Sequence, residues 1–268
     1  MNLLEASRLV PLRVAKWDNY FPVYDQIFQT LSEDSSVVEL GVLGGGSLLL
    51  WRSVLGERAH IVGVDLNQQA KELESLGFDI VVGDSSEKTT WEAIKSVVGS
   101  ADLLIDDGGH TFHSQIASVL FGLQIVKPGG WIVVEDVHTS YSRSRQYGIR
   151  RLNFVRFALR LVDEVNSRSP VVERKRKATF SRLCERIESV SFIESMVVIR
   201  LLPDSVFVPS QETDNGGDSR NAVDLRNSEL SIADRVLHRV PLFRAASKRA
   251  RFSRAAISGR IDSELFDF

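Results

Sequence analysis

Residues 101–141 read ADLLIDDGGHTFHSQIASVLFGLQIVKPGGWIVVEDVHTSY, and two acidic clusters stand out in them: Asp106-Asp107-Gly108-Gly109-His110 and Glu135-Asp136-Val137-His138. Each follows directly on an apolar, β-branched run, Leu103-Leu104-Ile105 in the first case and Trp131-Ile132-Val133-Val134 in the second. Such runs are the pattern of strands buried on both faces of a parallel sheet. Each cluster therefore marks the C-terminal tip of a strand. If the two strands are neighbours, four carboxylates and two imidazoles meet at one sheet edge, where open α/β sheets bind ligands. Like charges gathered there are left uncompensated unless a cation stands among them.

Upstream, the same alternation repeats. Ser36 to Leu40 is a short apolar strand, and Gly41-Val42-Leu43-Gly44-Gly45-Gly46-Ser47 is the turn before a helical run, Leu48 to Leu55. Glycines let such a turn bring backbone close to a ligand, and the free amides of the next helix face the same spot. The spacing matches neither Gly-x-Gly-x-x-Gly nor a P-loop, which disfavours pyrophosphate and triphosphate ligands. Ala59 to Val64 is the next strand and ends in Asp65, placed either to accept both hydroxyls of a ribose or to cap a helix. Asp79 to Val82 leads into Gly83-Asp84-Ser85-Ser86, whose short polar groups suit an adenine edge or a helix cap. Ser114 to Val126 reads as a helix, Lys127-Pro128-Gly129-Gly130 as a tight turn into the next strand, and Asn153 to Val165 as a further helix. Ile187 to Ile193 and Met196 to Leu201, split by Glu194-Ser195, form a hairpin at the end of the sheet. Strands and helices alternating in this way mean a doubly wound α/β fold.

Ahead of the sheet, Trp17, Tyr20, Phe21, Tyr24, Ile27, Phe28 and Leu31 recur at spacings of three and four. They give one helix an apolar stripe that either faces the core or covers a cofactor. Behind the sheet, Pro203 to Asn227 is polar and turn-rich. Between Arg235 and Arg260 stand eight Lys or Arg and no acid, interleaved with apolar residues. Such a segment suits an anionic membrane surface, a partner subunit or a solvated face, and no nucleic-acid-reading motif accompanies it. With 43% hydrophobic and 25% charged residues the chain supports one sizeable core. No apolar run of about eighteen residues occurs, Met1 to Glu5 lacks the order of a signal peptide, and the single Cys184 cannot form an internal disulfide. A cytoplasmic location is expected.

Glu39-Leu40-Gly41-Val42, Gly44 to Leu48, Gly63-Val64-Asp65, Gly83-Asp84-Ser85, Ile105 to His110 and Glu135 to Tyr141 together resemble the class I S-adenosylmethionine-dependent methyltransferases. Within that class they are similar to the metal-dependent sugar O-methyltransferases of the mycinamicin, macrocin and rhamnosyl type, which have cephalosporin hydroxylase-like relatives. The resemblance spans roughly residues 17–202. Its most specific element is Asp106-Asp107-Gly108-Gly109-His110, with Glu135 standing 28 residues after Asp107.

The resemblance implies a Rossmann-like doubly wound sheet, mostly parallel, with an antiparallel last strand. It implies S-adenosyl-L-methionine as cofactor and Mg2+ or a similar divalent cation on Asp107, Glu135 and Asp136, with His110 as general base. Glu39, Gly41, Gly44, Gly45 and Ser47 would hold the methionine end, Asp65 the ribose, and Asp84 with Ser85 the adenine. Asp106 falls in the cofactor set with no role of its own. His138 and Tyr141 lie where the acceptor enters, and His113 is a supporting or capping group. The chain then divides into a helical lid or cap (1–35), the methyltransferase domain (36–202), a linker expected to be disordered (203–227) and a basic amphipathic segment (228–268). The expected activity is methylation of a sugar hydroxyl on a glycan, glycolipid or glycosylated natural product. A non-sugar acceptor and a non-catalytic, cofactor-binding role are the alternatives. Expected partners are the small-molecule or glycan acceptor and further copies of the chain, with membrane contact through the basic segment and without nucleic acid. The resemblance does not take in the long N-terminal oligomerisation domain of the macrolide members, so their mode of assembly is not expected to carry over.

A sugar hydroxyl is a poor nucleophile near neutral pH, whereas the methyl on a sulfonium is already activated. An oxygen-liganded divalent ion lowers the hydroxyl pKa and keeps positions open for it. A positioned imidazole removes the proton, and the rest is orientation.

Overall fold

Valine, isoleucine and leucine alternate their side chains across a pleated backbone, so each central strand of this chain feeds two cores. In β1 (Ser36–Leu40) and β4 (Ala101–Asp106), Val37, Leu103 and Ile105 face one side of the sheet while Val38, Leu40 and Leu104 face the other. On the first face pack α1 (Leu3–Ser7), α2 (Phe21–Phe28) and α3 (Gly46–Leu55), through Leu3, Tyr24, Ile27 and Trp51. On the second pack α4 (Lys88–Val98), α5 (Phe112–Ile125) and α6 (Phe154–Asn166), through Trp91, Val119, Leu123, Phe154 and Leu161. The remaining strands are β2 (His60–Asp65), β3 (Asp79–Val82), β5 (Val126–Val134), β6 (Ile187–Ile193) and β7 (Met196–Leu201).

The computed structural model describes residues 2–147, 152–169, 183–204 and 207–213. The basic run 174–177, most of the 203–227 linker and the 228–268 segment lie outside the described residues. Every described helix and strand lies within Met1–Gln211. No helix among the described residues is long and apolar enough to cross a membrane.

The sheet order is β3-β2-β1-β4-β5-β7-β6. Pairings from β3 through β5 are parallel, and β7 runs antiparallel to both β5 and β6. A mostly parallel, doubly wound sheet closed by an antiparallel strand is the expected fold. The order reverses between β1 and β4, so the acidic cluster after β4 sits beside the glycine turn after β1, at the topological switch point.

Two local expectations shift. The turn at Lys127–Gly130 is absorbed into the start of β5: Ala101 pairs with Val126 and Leu103 with Trp131, so these residues bulge from the ladder. Gly129 has φ +74°, and a Cβ on Gly130 would lie 2.7 Å from the Asp102 carbonyl oxygen, an approach that requires glycine. The stripe from Trp17 to Leu31 also does not form one helix. A 3-10 turn (Asp18–Tyr20) precedes α2, with Pro22 in the first turn of that helix, and Trp17 stays outside with over half its surface exposed.

Cys184 is buried and free, and burial pushes its thiol up to about 11. The folded protein is therefore expected to resist iodoacetamide at about pH 8, where an exposed thiol reacts, and to label only when unfolded. Mass spectrometry of native against denatured samples checks this, and rapid native labelling would contradict the packing around Cys184.

Candidate functional site

The parallel ladder continues past the strand ends and aligns the tips. Gly41 N–H donates to the Val64 carbonyl, Gly83 N–H to Asp65, Asp107 N–H to Leu40 and Glu135 N–H to Asp106, at 2.7–2.9 Å. Gly41 has φ +85°, and a Cβ there would lie 2.3 Å from the Asp107 carbonyl oxygen, so the β1 turn packs directly on the β4 tip. The cluster turns are tied to each other as well. Thr139 Oγ1 donates to the His110 carbonyl, and Gln115 Nε2 of α5 donates to the Glu135 carbonyl.

These tips enclose a cleft of about 430 Å³ lined by Gly41, Leu43, Asp65, Leu66, Gly83 and Ser85 at one end and by Asp107 to His110 and Asp136 at the other. Leu43, His110 and Asp136 have φ of 46°, 53° and 54°. Among the described residues only Ser195 joins them as a non-glycine residue with positive φ. Backbone held in this region costs on the order of 1–3 kcal/mol per residue and concentrates at functional sites.

Not every residue expected to hold a cofactor faces the cleft. Asp65 does, with Oδ2 accepting the Val42 and Leu43 amides and Oδ1 the Asn67 amide, which leaves acceptor capacity on Oδ1. Asn67, not Asp65, caps the following 3-10 turn. Ser85 lines the cleft, whereas Asp84 accepts from the Ser86 amide. Gly44 lies in open space, and Gly45, at φ +80°, caps α3 against Leu73. Glu39 is fully buried beneath the turn and accepts from Ser47 Oγ and Trp51 Nε1. Asp106 is also fully buried, with Oδ1 accepting from the Gly108 amide. Burial pushes its carboxyl upward, against the Ser118 hydroxyl, the Gly108 amide and His110.

The acid edge contains a cation from the chain itself. Lys16 Nζ lies 2.7 Å from Glu135 Oε1, 2.9 Å from Asp107 Oδ2 and 3.4 Å from Glu39 Oε1, with its side chain 1% exposed. Burial alone would push this ammonium toward neutrality, but the three carboxylates, Glu135 foremost, hold it well above the usual lysine range. Burial also pushes Glu135 up to about 8, against the pull of Lys16. The Tyr24 hydroxyl hydrogen-bonds the same Glu135 oxygen. Asp136 is held from the other side, its Oδ1 accepting from Tyr20 Oη and Trp17 Nε1.

A divalent cation favours oxygen ligands. Asp107, His110 and Asp136 each bring one ligand atom within 4.8 Å of the others, so two carboxylates and an imidazole suit such an ion. Glu135 stands apart from that group, its Oε1 shared by Lys16 and Tyr24. His110 Nε2 faces Asp136 Oδ2 at 3.4 Å, while its Nδ1 is buried without a hydrogen-bond partner.

Residues 38–137 match a family model described as a methyltransferase domain. Over that segment the chain resembles a methyltransferase domain. The chain is 32% identical over 160 residues to the 8-demethyl-8-alpha-L-rhamnosyl tetracenomycin-C 2'-O-methyltransferase of Streptomyces olivaceus, a match covering 55% of this chain and 42% of that protein. It is 30% identical over 152 residues to the demethylmacrocin O-methyltransferase of Streptomyces fradiae, covering 53% and 37%. The match thus spans less than half the length of either relative. Among solved structures, the MycE methyltransferase of the mycinamycin pathway, in complex with Mg, SAH and mycinamycin VI, superimposes with a TM-score of 0.64. It is 22% identical and covers 78% of this chain and 56% of that one, a likeness of fold.

The matched segment holds Glu39, Asp65, Asp107, His110, Glu135 and Asp136, but Lys16, Trp17, Tyr20 and Tyr24, which engage its acids, lie outside it. Lys16, Trp17, Tyr20 and Tyr24 all precede residue 38. His138 packs edge-on against Trp17 and bonds Ser195 Oγ, and Tyr141 is 77% exposed. His113 lies tilted against Phe112 at the start of α5. Lys16 carries no periodic signal in the sequence. Tyr20 and Tyr24 were visible only as members of an apolar stripe.

Proposed function

We propose that this chain transfers a methyl group from S-adenosylmethionine to a sugar hydroxyl, with His110 as general base. One observation carries the reading: a single cleft runs from Gly41, Asp65 and Ser85 to Asp107, His110 and Asp136. At the first end Asp65 accepts ribose hydroxyls, Ser85 meets the adenine edge, and exposed Leu43 and Leu66 offer apolar surface to the base. Glu39 and Ser47 act from beneath, bracing the turn. At the second end an acceptor hydroxyl delivers its proton to the His110 imidazole, and the imidazolium so formed faces the Asp136 carboxylate through Nε2. Asp107 and Asp136 would hold a divalent cation, which when bound lowers the hydroxyl pKa. His138 and Tyr141 stand at the acceptor side, and residues 1–35 cap the domain.

The test is incubation of the full chain with S-adenosylmethionine and a panel of rhamnosides and deoxysugar glycosides, with mass spectrometry of the sugar. The expected result is a gain of one methyl on a hydroxyl oxygen, suppressed by a chelator and restored by magnesium. Tight cofactor binding without turnover on any sugar would contradict the proposal.

A further inference from the structure

Of the three acids expected to share a divalent ion, two are already bridged by an ammonium. Lys16 Nζ stands 2.9 Å from Asp107 Oδ2 and 2.7 Å from Glu135 Oε1. A magnesium ion bridging the same oxygens needs contacts of about 2.0–2.1 Å, so it would have to fill the space the ammonium fills. The two cations exclude each other there by size and by charge.

Lys16 is built into that place. The Trp51 and Tyr24 rings lie 5.5 and 5.8 Å from its Nζ, and aromatic faces at that range attract an ammonium. The backbone leading to it is seated on α3: a Cβ on Gly46 would lie 2.0 Å from the Arg13 carbonyl oxygen. The next residue, Trp17, donates to Asp136 Oδ1 at 3.0 Å. At the other end of the segment, α1 is closed by an Asn2–Glu5 capping box, and Asp25 accepts the Leu3 amide.

We propose that Lys16 is a built-in counter-ion that competes with a divalent cation for Asp107 and Glu135, and so sets the metal affinity of the acid centre. With the ammonium in place, Glu135 is withdrawn and an ion finds Asp107 and Asp136. Without it, Glu135 joins the donors and one positive charge is removed. The inference rests on reading the acid centre as a cation site, not on which acceptor is methylated.

The experiment is Mn2+ binding by electron paramagnetic resonance to the full chain, comparing wild type with Lys16→Met. The variant is expected to bind at least about tenfold more tightly, equivalent to roughly 1.4 kcal/mol. A folded Lys16→Met that binds Mn2+ no better than wild type overturns the proposal. If Lys16→Met is unfolded in metal-free buffer, recovery of native circular dichroism on adding Mn2+ supports it. Failure of Mn2+ to restore the fold, while Lys16→Met/Glu135→Gln folds, overturns it. S-adenosylhomocysteine binding, read by calorimetry on the wild type, keeps the two readings apart: its absence sinks the methyltransferase proposal and leaves the Lys16 result standing.

Discussion

Replacing His110 by alanine is expected to lower methyl transfer by about two to four powers of ten, the usual cost of losing a positioned base, with S-adenosylhomocysteine affinity unchanged. His110 is the imidazole in the cleft. His138 is turned toward Trp17 and Ser195, and His113 lies against Phe112. His110 sits at φ 53° in a turn whose carbonyl is held by Thr139, and its Nε2 faces Asp136 at 3.4 Å. Such a group is positioned at a cost, and its removal leaves the glycine-turn end of the cleft intact. Initial rates and calorimetry on the same preparation decide the matter. Near-full activity in His110→Ala would remove the assigned base, and a parallel loss of cofactor affinity would make the residue structural.

Gly41→Ala is the second large effect. Alanine at φ +85° is strained by about 1–2 kcal/mol, and its Cβ would lie 2.3 Å from the Asp107 carbonyl oxygen and 2.5 Å from the Gly108 Cα. Ordinary contact needs about another ångström, and both neighbours are backbone, so the β1 and β4 tips must part. A displacement of about 1 Å at a catalytic centre costs about a hundredfold in rate. Gly41→Ala is therefore expected to lose at least that much activity, together with cofactor affinity, since the turn that lines the cofactor end packs directly on the Asp107 tip. Gly44→Ala is the control: no neighbour lies within 4 Å of its Cβ, so activity should be retained. Equal behaviour of the two variants would refute the contact between turn and tip.

The sheet was legible because its strands are apolar runs whose alternate residues fill two cores. The acids were legible because a carboxylate directly after such a run has only the sheet edge to occupy. The partners of those acids were not. Tyr20 and Tyr24 recur at helical spacing and their rings are buried as that spacing demands, yet their hydroxyls reach Asp136 and Glu135, and periodicity carries no information on where a hydroxyl points. Lys16 lies in an irregular segment between α1 and α2, and only the tertiary path of that segment brings it under three carboxylates separated by up to 119 positions from it. Glu39 offered a clue in being a charged residue inside an apolar strand. Its neighbour Lys16 explains how the charge is tolerated, since buried charges persist when paired.

The sharpest test of the whole account is a crystal structure of the full chain with S-adenosylhomocysteine. The account predicts the adenosine between Asp65, Leu66 and Ser85, with the sulfur pointing along the cleft toward His110 and Asp136. Nucleoside density elsewhere, or a sulfur directed away from His110, would contradict it.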